Sequence, residues 1–182
     1  NSDLAGLPDY LCYLQSIKAD ALLVADLGVF SMCKKYIPDM ELHISTQANN
    51  TNWATVNAWQ ALGAGRVVLA REMSLKEIHE IRAKCKVELE MFIHGAMCIS
   101  YSGRCLLSNY FTGRDSNRGS CAQSCRWKYA LVEETRPGKY FPIAEDERGS
   151  YIMNSKDMCL MAHLKDVIES GVDSLKIEGR MK

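Results

Sequence analysis

Apolar and polar positions alternate along the first ninety residues in blocks that switch period. Residues 9–18 carry apolar side chains at helical spacing, and residues 21–25 form a short continuous apolar run closed by Asp26. A second helical pattern covers about 28–37 and stops at Ile37-Pro38, because a following proline pushes a residue out of the helical region. Residues 41–45 read as the next strand, and the polar run Thr46-Gln47-Ala48-Asn49-Asn50 reads as a loop. A helix over about 52–62 meets Gly63, a residue suited to the left-handed position that ends helices. Residues 66–70 form a third strand, and Ser74 with Glu77 matches a capping box opening a helix to about 85. Residues 87–93 form a fourth strand that ends at His94-Gly95. Strand and helix thus repeat at a pitch of about 20–25 residues, the pattern of parallel α/β architecture.

The rhythm breaks after His94. Residues 95–150 hold four cysteines, a Gly/Asn/Arg/Ser stretch at 113–120, a hairpin-like run near 128–143 and a charged turn at 145–149. A helix predicted over about 156–169, then Gly171 and a strand over 173–177, restore the α/β pattern. The expected organisation is therefore an α/β body over 1–94, a Cys-rich insertion with a hairpin over 95–150, and a returning α/β unit over 151–182. Five strands are predicted where a closed (β/α) barrel has eight. The expected fold is a partial TIM-like (β/α) barrel with the Cys-rich insertion between two strands.

Composition adds limits. The 182 residues carry 22 Lys+Arg against 22 Asp+Glu, with 47% hydrophobic and 24% charged residues, which excludes a disordered, collagen-like or coiled-coil chain. Zero net charge argues against a generally basic nucleic-acid coat but permits a local basic patch. No apolar run approaches the roughly 20 residues of a membrane span, and no signal-peptide pattern is visible. The start at Asn1, without an initiator Met, reads as a piece of a longer chain. A cytoplasmic location without membrane attachment is expected; the pattern sets no oligomeric state.

In parallel α/β folds, chemistry collects at the carboxyl ends of the strands. Asp26, Thr46, Gln47, Arg71, Glu72, His94, Glu178 and Arg180 fall there. Strand ends are solvated in any case, so polarity alone does not make a site.

The eight cysteines divide into two sets. Cys12, Cys33, Cys85 and Cys159 are scattered through helix-like segments and read as buried or incidental thiols. Cys98, Cys105, Cys121 and Cys125 crowd into 28 positions with spacing C-x6-C-x15-C-x3-C. Four thiolates in one loop-rich region suit tetrahedral zinc or an iron–sulfur cluster, and only Cys121 and Cys125 approach the short pairing common in structural zinc sites. The competing readings are four unrelated reduced thiols, or a catalytic thiol near His94. Other motifs fail on inspection. His79-Glu80 lacks the second histidine of a zinc-protease helix, and Gly63-Ala64-Gly65 lacks the third glycine of a dinucleotide loop.

From Cys98 to Lys128 the charged side chains are Arg104, Arg114, Asp115, Arg118, Arg126 and Lys128, a local net charge of +4. Tyr101, Tyr110, Phe111, Trp127 and Tyr129 are interleaved with them. Arginines for phosphates and rings for bases are the means of single-stranded RNA recognition. The alternative is a loop whose arginines pair locally and whose rings pack inward.

Residues 90–98 (EMFIHGAMC), continuing through 99–108 (ISYSGRCLLS), closely resemble the signature of the collagenase-like peptidase family U32. Matching stretches are 45–48, 68–72, Arg114-Asp115, 121–127, Asn154-Ser155-Lys156-Asp157 and 176–180, so the resemblance runs the length of the chain. The family name implies proteolysis. Its bacterial members resemble RNA hydroxylation proteins: one branch forms 5-hydroxyuridine at the tRNA wobble position with prephenate, another hydroxylates a ribosomal RNA cytidine, and related members hydroxylate the ubiquinone ring. The resemblance implies an iron–sulfur (4Fe-4S) cluster on Cys98, Cys105, Cys121 and Cys125, with Cys159 as an alternative fourth ligand. Zinc in place of the cluster, or no metal, remains open for this piece.

These readings combine into an expected RNA base hydroxylation enzyme acting on tRNA or rRNA with a small-molecule co-substrate. His94, Glu72 and Glu178 are the candidate catalytic residues, and Gln47, Arg71, Arg180, Arg104 and Arg126 the candidate substrate-binding ones. The alternatives are a U32-type peptidase and a non-catalytic RNA-binding scaffold.

Overall fold

The computed structural model describes residues 2–98, 100–101, 104–127, 129–132, 134–142 and 157–179. Arg180, Asn154-Ser155-Lys156 and the charged turn at 145–149 lie outside the described residues.

The chain folds as two compact units, residues 1–92 with 160–176 and residues 93–159 with 177–182. In the first unit, α1 (Ser2–Ala5) and α2 (Leu7–Ser16) precede β1 (Ala21–Val24), α3 (Leu27–Tyr36), β2 (Glu41–Ile44), α4 (Trp53–Ala61), β3 (Arg66–Val68), α5 (Leu75–Arg82) and the first five residues of β4 (Glu88–Ala96). After the second unit come α7 (Leu164–Glu169) and β8 (Ser174–Ile177). The five strands expected from the pattern are all present, in the order β1-β2-β3-β4 with β8 beside β4. The β1–β2, β2–β3 and β3–β4 pairs are parallel. Asp173 donates its N–H to Leu89 O and Glu178 donates its N–H to His94 O, so β8 advances along β4 in the same direction. Each strand lies next to its predecessor without reversal, as in singly wound barrels and unlike doubly wound sheets, consistent with part of a barrel.

Local signals built these elements. Asp26 caps α3 by accepting the Val29 N–H at 2.9 Å, and Asn52 caps α4 through Thr55 N–H. The capping box forms as the spacing requires, with Ser74 N–H on Glu77 Oε2 at 2.8 Å and Glu77 N–H on Ser74 Oγ. Leu42, Ile44, Val67, Leu69 and Leu89 are buried, together with Phe30, Val56, Ile78, Ile81 and Val167 from the helices. Each such side chain contributes about 1.5–3 kcal/mol.

In the second unit, α6 (Leu107–Thr112) is followed by two 3-10 turns, the antiparallel hairpin β5 (Ala130–Val132) with β6 (Tyr140–Pro142), and β7 (Asp157–Cys159). The hairpin falls where the sequence places it. β7 corrects an expectation: the pattern predicts a helix from about 156, but 157–159 pair antiparallel with 94–96 of β4 and the helix starts only at Leu164. The tail of β4 supplies the reason, since the strand runs to Ala96, beyond its expected end at His94-Gly95, and leaves an edge there for pairing.

Candidate functional site

Each unit contributes its own candidate region. In the first, the ends of β2 and β3 are clasped by Asn50, whose Nδ2 donates to Ser45 O and Val68 O, both at 2.8 Å. With both amide protons committed, its Oδ1 has a fixed direction. Among the described residues neither that oxygen nor the Thr46 hydroxyl has a hydrogen-bond partner, although both are buried. Gln47 stands on the same turn, its N–H received by Ser45 Oγ. Arg71 lays its guanidinium 4.1 Å from the centre of the Phe92 ring, and Glu72 beside it is exposed.

Glu90 is the buried charge of this region. Its Oε1 accepts Lys176 Nζ at 2.8 Å, and its Oε2 accepts Ser174 Oγ at 3.0 Å and Arg66 Nη1 at 3.2 Å. Arg66 also pairs with Glu88 at 2.7 Å. Burial pushes the Glu90 carboxyl up, but hydrogen bonds and charge from Lys176, with Ser174 and Arg66, outweigh it and hold the group below the ordinary carboxylate range. Lys176 Nζ also lies 5.7 Å from the Phe92 ring. Sequence reasoning missed Glu90 and Asn50. The available signals were a lone carboxylate inside an apolar strand and an asparagine at the end of a polar loop.

The second unit carries Cys98, Cys105, Cys121, Cys125 and Cys159. All eight cysteines are described and none is in a disulfide. Cys105 and Cys125 are buried, whereas Cys98 and Cys121 are half-buried. Two thiols receive main-chain donors from two residues on: Ser100 N–H reaches Cys98 Sγ at 3.4 Å, and Gln123 N–H reaches Cys121 Sγ at 3.3 Å. The lobe is pinned by Ser108, fully buried on α6, which donates to Arg114 O at 2.8 Å and accepts Ala122 N–H at 2.9 Å. Ser116 Oγ donates to Cys105 O at 2.6 Å. Arg126, next to Cys125, meets Asp157 of β7 at 2.9 Å. In register, β7 sets Cys159 opposite His94 and Asp157 opposite Ala96, two residues before Cys98. Glu178 is joined to His94 through the main chain, and the His94 side chain is exposed. Arg104 is exposed in the same unit.

Among the described residues, no three of His, Cys, Asp or Glu are gathered in a group that could hold a metal ion. The four-cysteine segment still offers sulfur donors of the type that hold zinc or iron–sulfur groups. It offers thiols, two of them receiving N–H donors of the kind that stabilise thiolate charge, on segments tied by Ser108 and Arg126.

Among the described residues, no helix is long and apolar enough to cross a membrane. The sequence model of peptidase family U32 matches residues 1–182. The chain is 47% identical over 182 residues to tRNA hydroxylation protein P1 of Bacillus subtilis, covering 100% of this chain and 43% of the relative. It is 42% identical over 203 aligned positions to tRNA hydroxylation protein P of Escherichia coli, covering 90% of this chain and 45% of that protein. The chain thus spans less than half the length of these two relatives. The solved structure of the U32 peptidase Mk0906 matches with a TM-score of 0.52 at 15% identity, over 97% of this chain and 62% of that one. With a match along its whole length, this chain belongs to peptidase family U32.

Proposed function

We propose that the protein is an RNA base hydroxylation enzyme that forms 5-hydroxyuridine at the wobble position of tRNA. In this reading Cys98, Cys105, Cys121 and Cys125 hold a 4Fe-4S cluster and prephenate is the co-substrate. The observation that carries it is the 47% identity, along every residue of the chain, to a protein named for tRNA hydroxylation. The four-thiol lobe supports it, because a cluster held there would supply one-electron redox chemistry that a peptidase does not need.

The roles of this chain's own residues follow from their positions. Ser100 and Gln123 N–H groups stabilise thiolate charge on Cys98 and Cys121, while Ser108 and Arg126 fix the loops that carry the thiols. In the first unit Arg71, with Gln47, is the proposed binder of a carboxylate-bearing co-substrate. Glu90 fixes Lys176 and Arg66 through its carboxylate oxygens. His94 and Glu178 in the second unit, and Glu72 in the first, are the candidates for holding or moving a proton. Arg104 is the proposed phosphate contact.

The deciding experiment purifies the full-length protein without oxygen, measures iron, sulfide and zinc with the visible spectrum, and digests tRNA from a gene-deletion strain for mass spectrometry. Four irons per chain and loss of a hydroxylated uridine are expected. Unchanged tRNA nucleosides would overturn the reading, and gelatin cleavage abolished by substituting a strand-end residue would replace it with the peptidase implied by the family's name.

A further inference from the structure

A cluster of aromatic rings lies in the second unit. Phe111 is its hub, with ring centres 5.2 Å from Tyr110, 6.2 Å from Trp127 and 5.8 Å from Tyr129. Trp127 and Tyr129 stack at 6.4 Å, 25° from parallel. Tyr129 is anchored inward, its hydroxyl donating to Ser124 O at 2.6 Å. The outer rings are not covered: Tyr110 is 82% exposed and Trp127 46%, and Leu106, one helical turn before Tyr110, is 75% exposed. Rings that served only to fill a core would bury these faces, so a contiguous exposed apolar surface marks a binding role.

The surrounding charge selects the partner. Arg104, Arg114 and Arg118 are exposed in the same segment, where the acid is Asp115, 3.7 Å from Arg118. Ser108 holds the Arg114 and Ala122 backbones against α6, so the arginine-bearing loop and the ring-bearing helix belong to one lobe. Protein interfaces also favour Tyr, Trp and Arg, but an excess of exposed arginine in the same lobe as exposed rings matches phosphate and unpaired base together. We infer that Tyr110, Phe111 and Trp127 form a stacking platform for the unpaired bases of an RNA loop, with Arg104 and Arg114 of the same lobe taking its phosphates. This inference rests on the RNA reading above and adds to it the surface that would grip the loop.

The test uses full-length protein and fluorescence anisotropy at fixed salt, with a labelled RNA stem-loop and a blunt RNA duplex of equal length. Tyr110→Ala and Trp127→Ala are each expected to weaken stem-loop binding about ten- to hundred-fold, as base–ring stacking does elsewhere. Duplex binding should hold, and Trp127→Phe should recover most of the affinity. Arg114→Ala should weaken both RNAs alike and flatten the salt dependence. Wild-type binding of the stem-loop with unchanged affinity in both alanine variants would overturn the platform and leave the RNA reading standing. So would variants whose sole effect, by sedimentation, is on association with a second copy. Wild-type protein that binds neither RNA would remove the RNA reading itself.

Discussion

Arg126 Nη2 meets Asp157 Oδ1 at 2.9 Å, tying the turn that holds Cys125 to the three-residue strand paired with the end of β4. The pair is partly exposed, so its direct contribution to stability is below about 1 kcal/mol. Its effect is positional. Arg126→Ala is expected to leave the denaturation midpoint nearly unchanged while alkylation of Cys125 by iodoacetamide accelerates several-fold, read by peptide mass spectrometry. Arg126→Lys should lie between the two, because a point charge keeps attraction but loses the planar fork. Equal alkylation rates in all three proteins would show that the ion pair does not hold the turn.

Glu90 answers to two cations, so its removal leaves Lys176 and Arg66 without the buried countercharge they share. Glu90→Ala is expected to destabilise the protein by about 3–5 kcal/mol in urea titrations at neutral pH. The pH dependence has a definite sign. A carboxyl held below its unfolded value contributes stability that is fully present above the unfolded carboxylate range and is lost as pH falls through the folded value. Wild-type protein should therefore lose more stability than Glu90→Gln between neutral pH and pH of about 3. Parallel losses in the two proteins would contradict this role.

Gly95 has φ of 112°, and a Cβ built there would lie 2.7 Å from Glu178 Cβ. Gly95→Ala combines backbone strain with a clash against the chain that follows β8, and should cost about 2 kcal/mol or more. The loss should be visible as a lower urea midpoint and faster amide exchange at Glu178, whose N–H is received by His94 O. Gly113→Ala is a matched control, since its φ of 69° carries the strain but nothing lies within 4 Å of the added carbon.

Asn50 donates to two main-chain carbonyls, Ser45 O, which also accepts the Ala48 N–H, and Val68 O. Asn50→Ala should cost about 1–3 kcal/mol in urea titrations, with Ser45 O keeping the Ala48 N–H. Asn50→Asp is the sharper probe, because at neutral pH it sets a carboxylate against two carbonyl oxygens. Its folded-state pKa would rise, so the variant should gain stability relative to wild type as the pH falls and its carboxyl protonates. A variant whose deficit is constant with pH would show that the side chain rotates away.

The periodic pattern was enough to determine the five parallel strands and the capping box at Ser74 and Glu77. These depend on the spacing of apolar residues and on caps that reach three residues along the chain, and such short-range effects are written directly in residue order. The antiparallel pairing of β7, the Glu90–Lys176–Arg66 group, the Asn50 clasp and the exposed rings around Phe111 were decided only by tertiary structure. Glu90 and Lys176 stand 86 residues apart, and β7 is a strand because the tail of β4 offers it an unpaired edge. Register between distant strands and the covering of a ring by its neighbours have no local period, so they come into being only when the chain closes on itself.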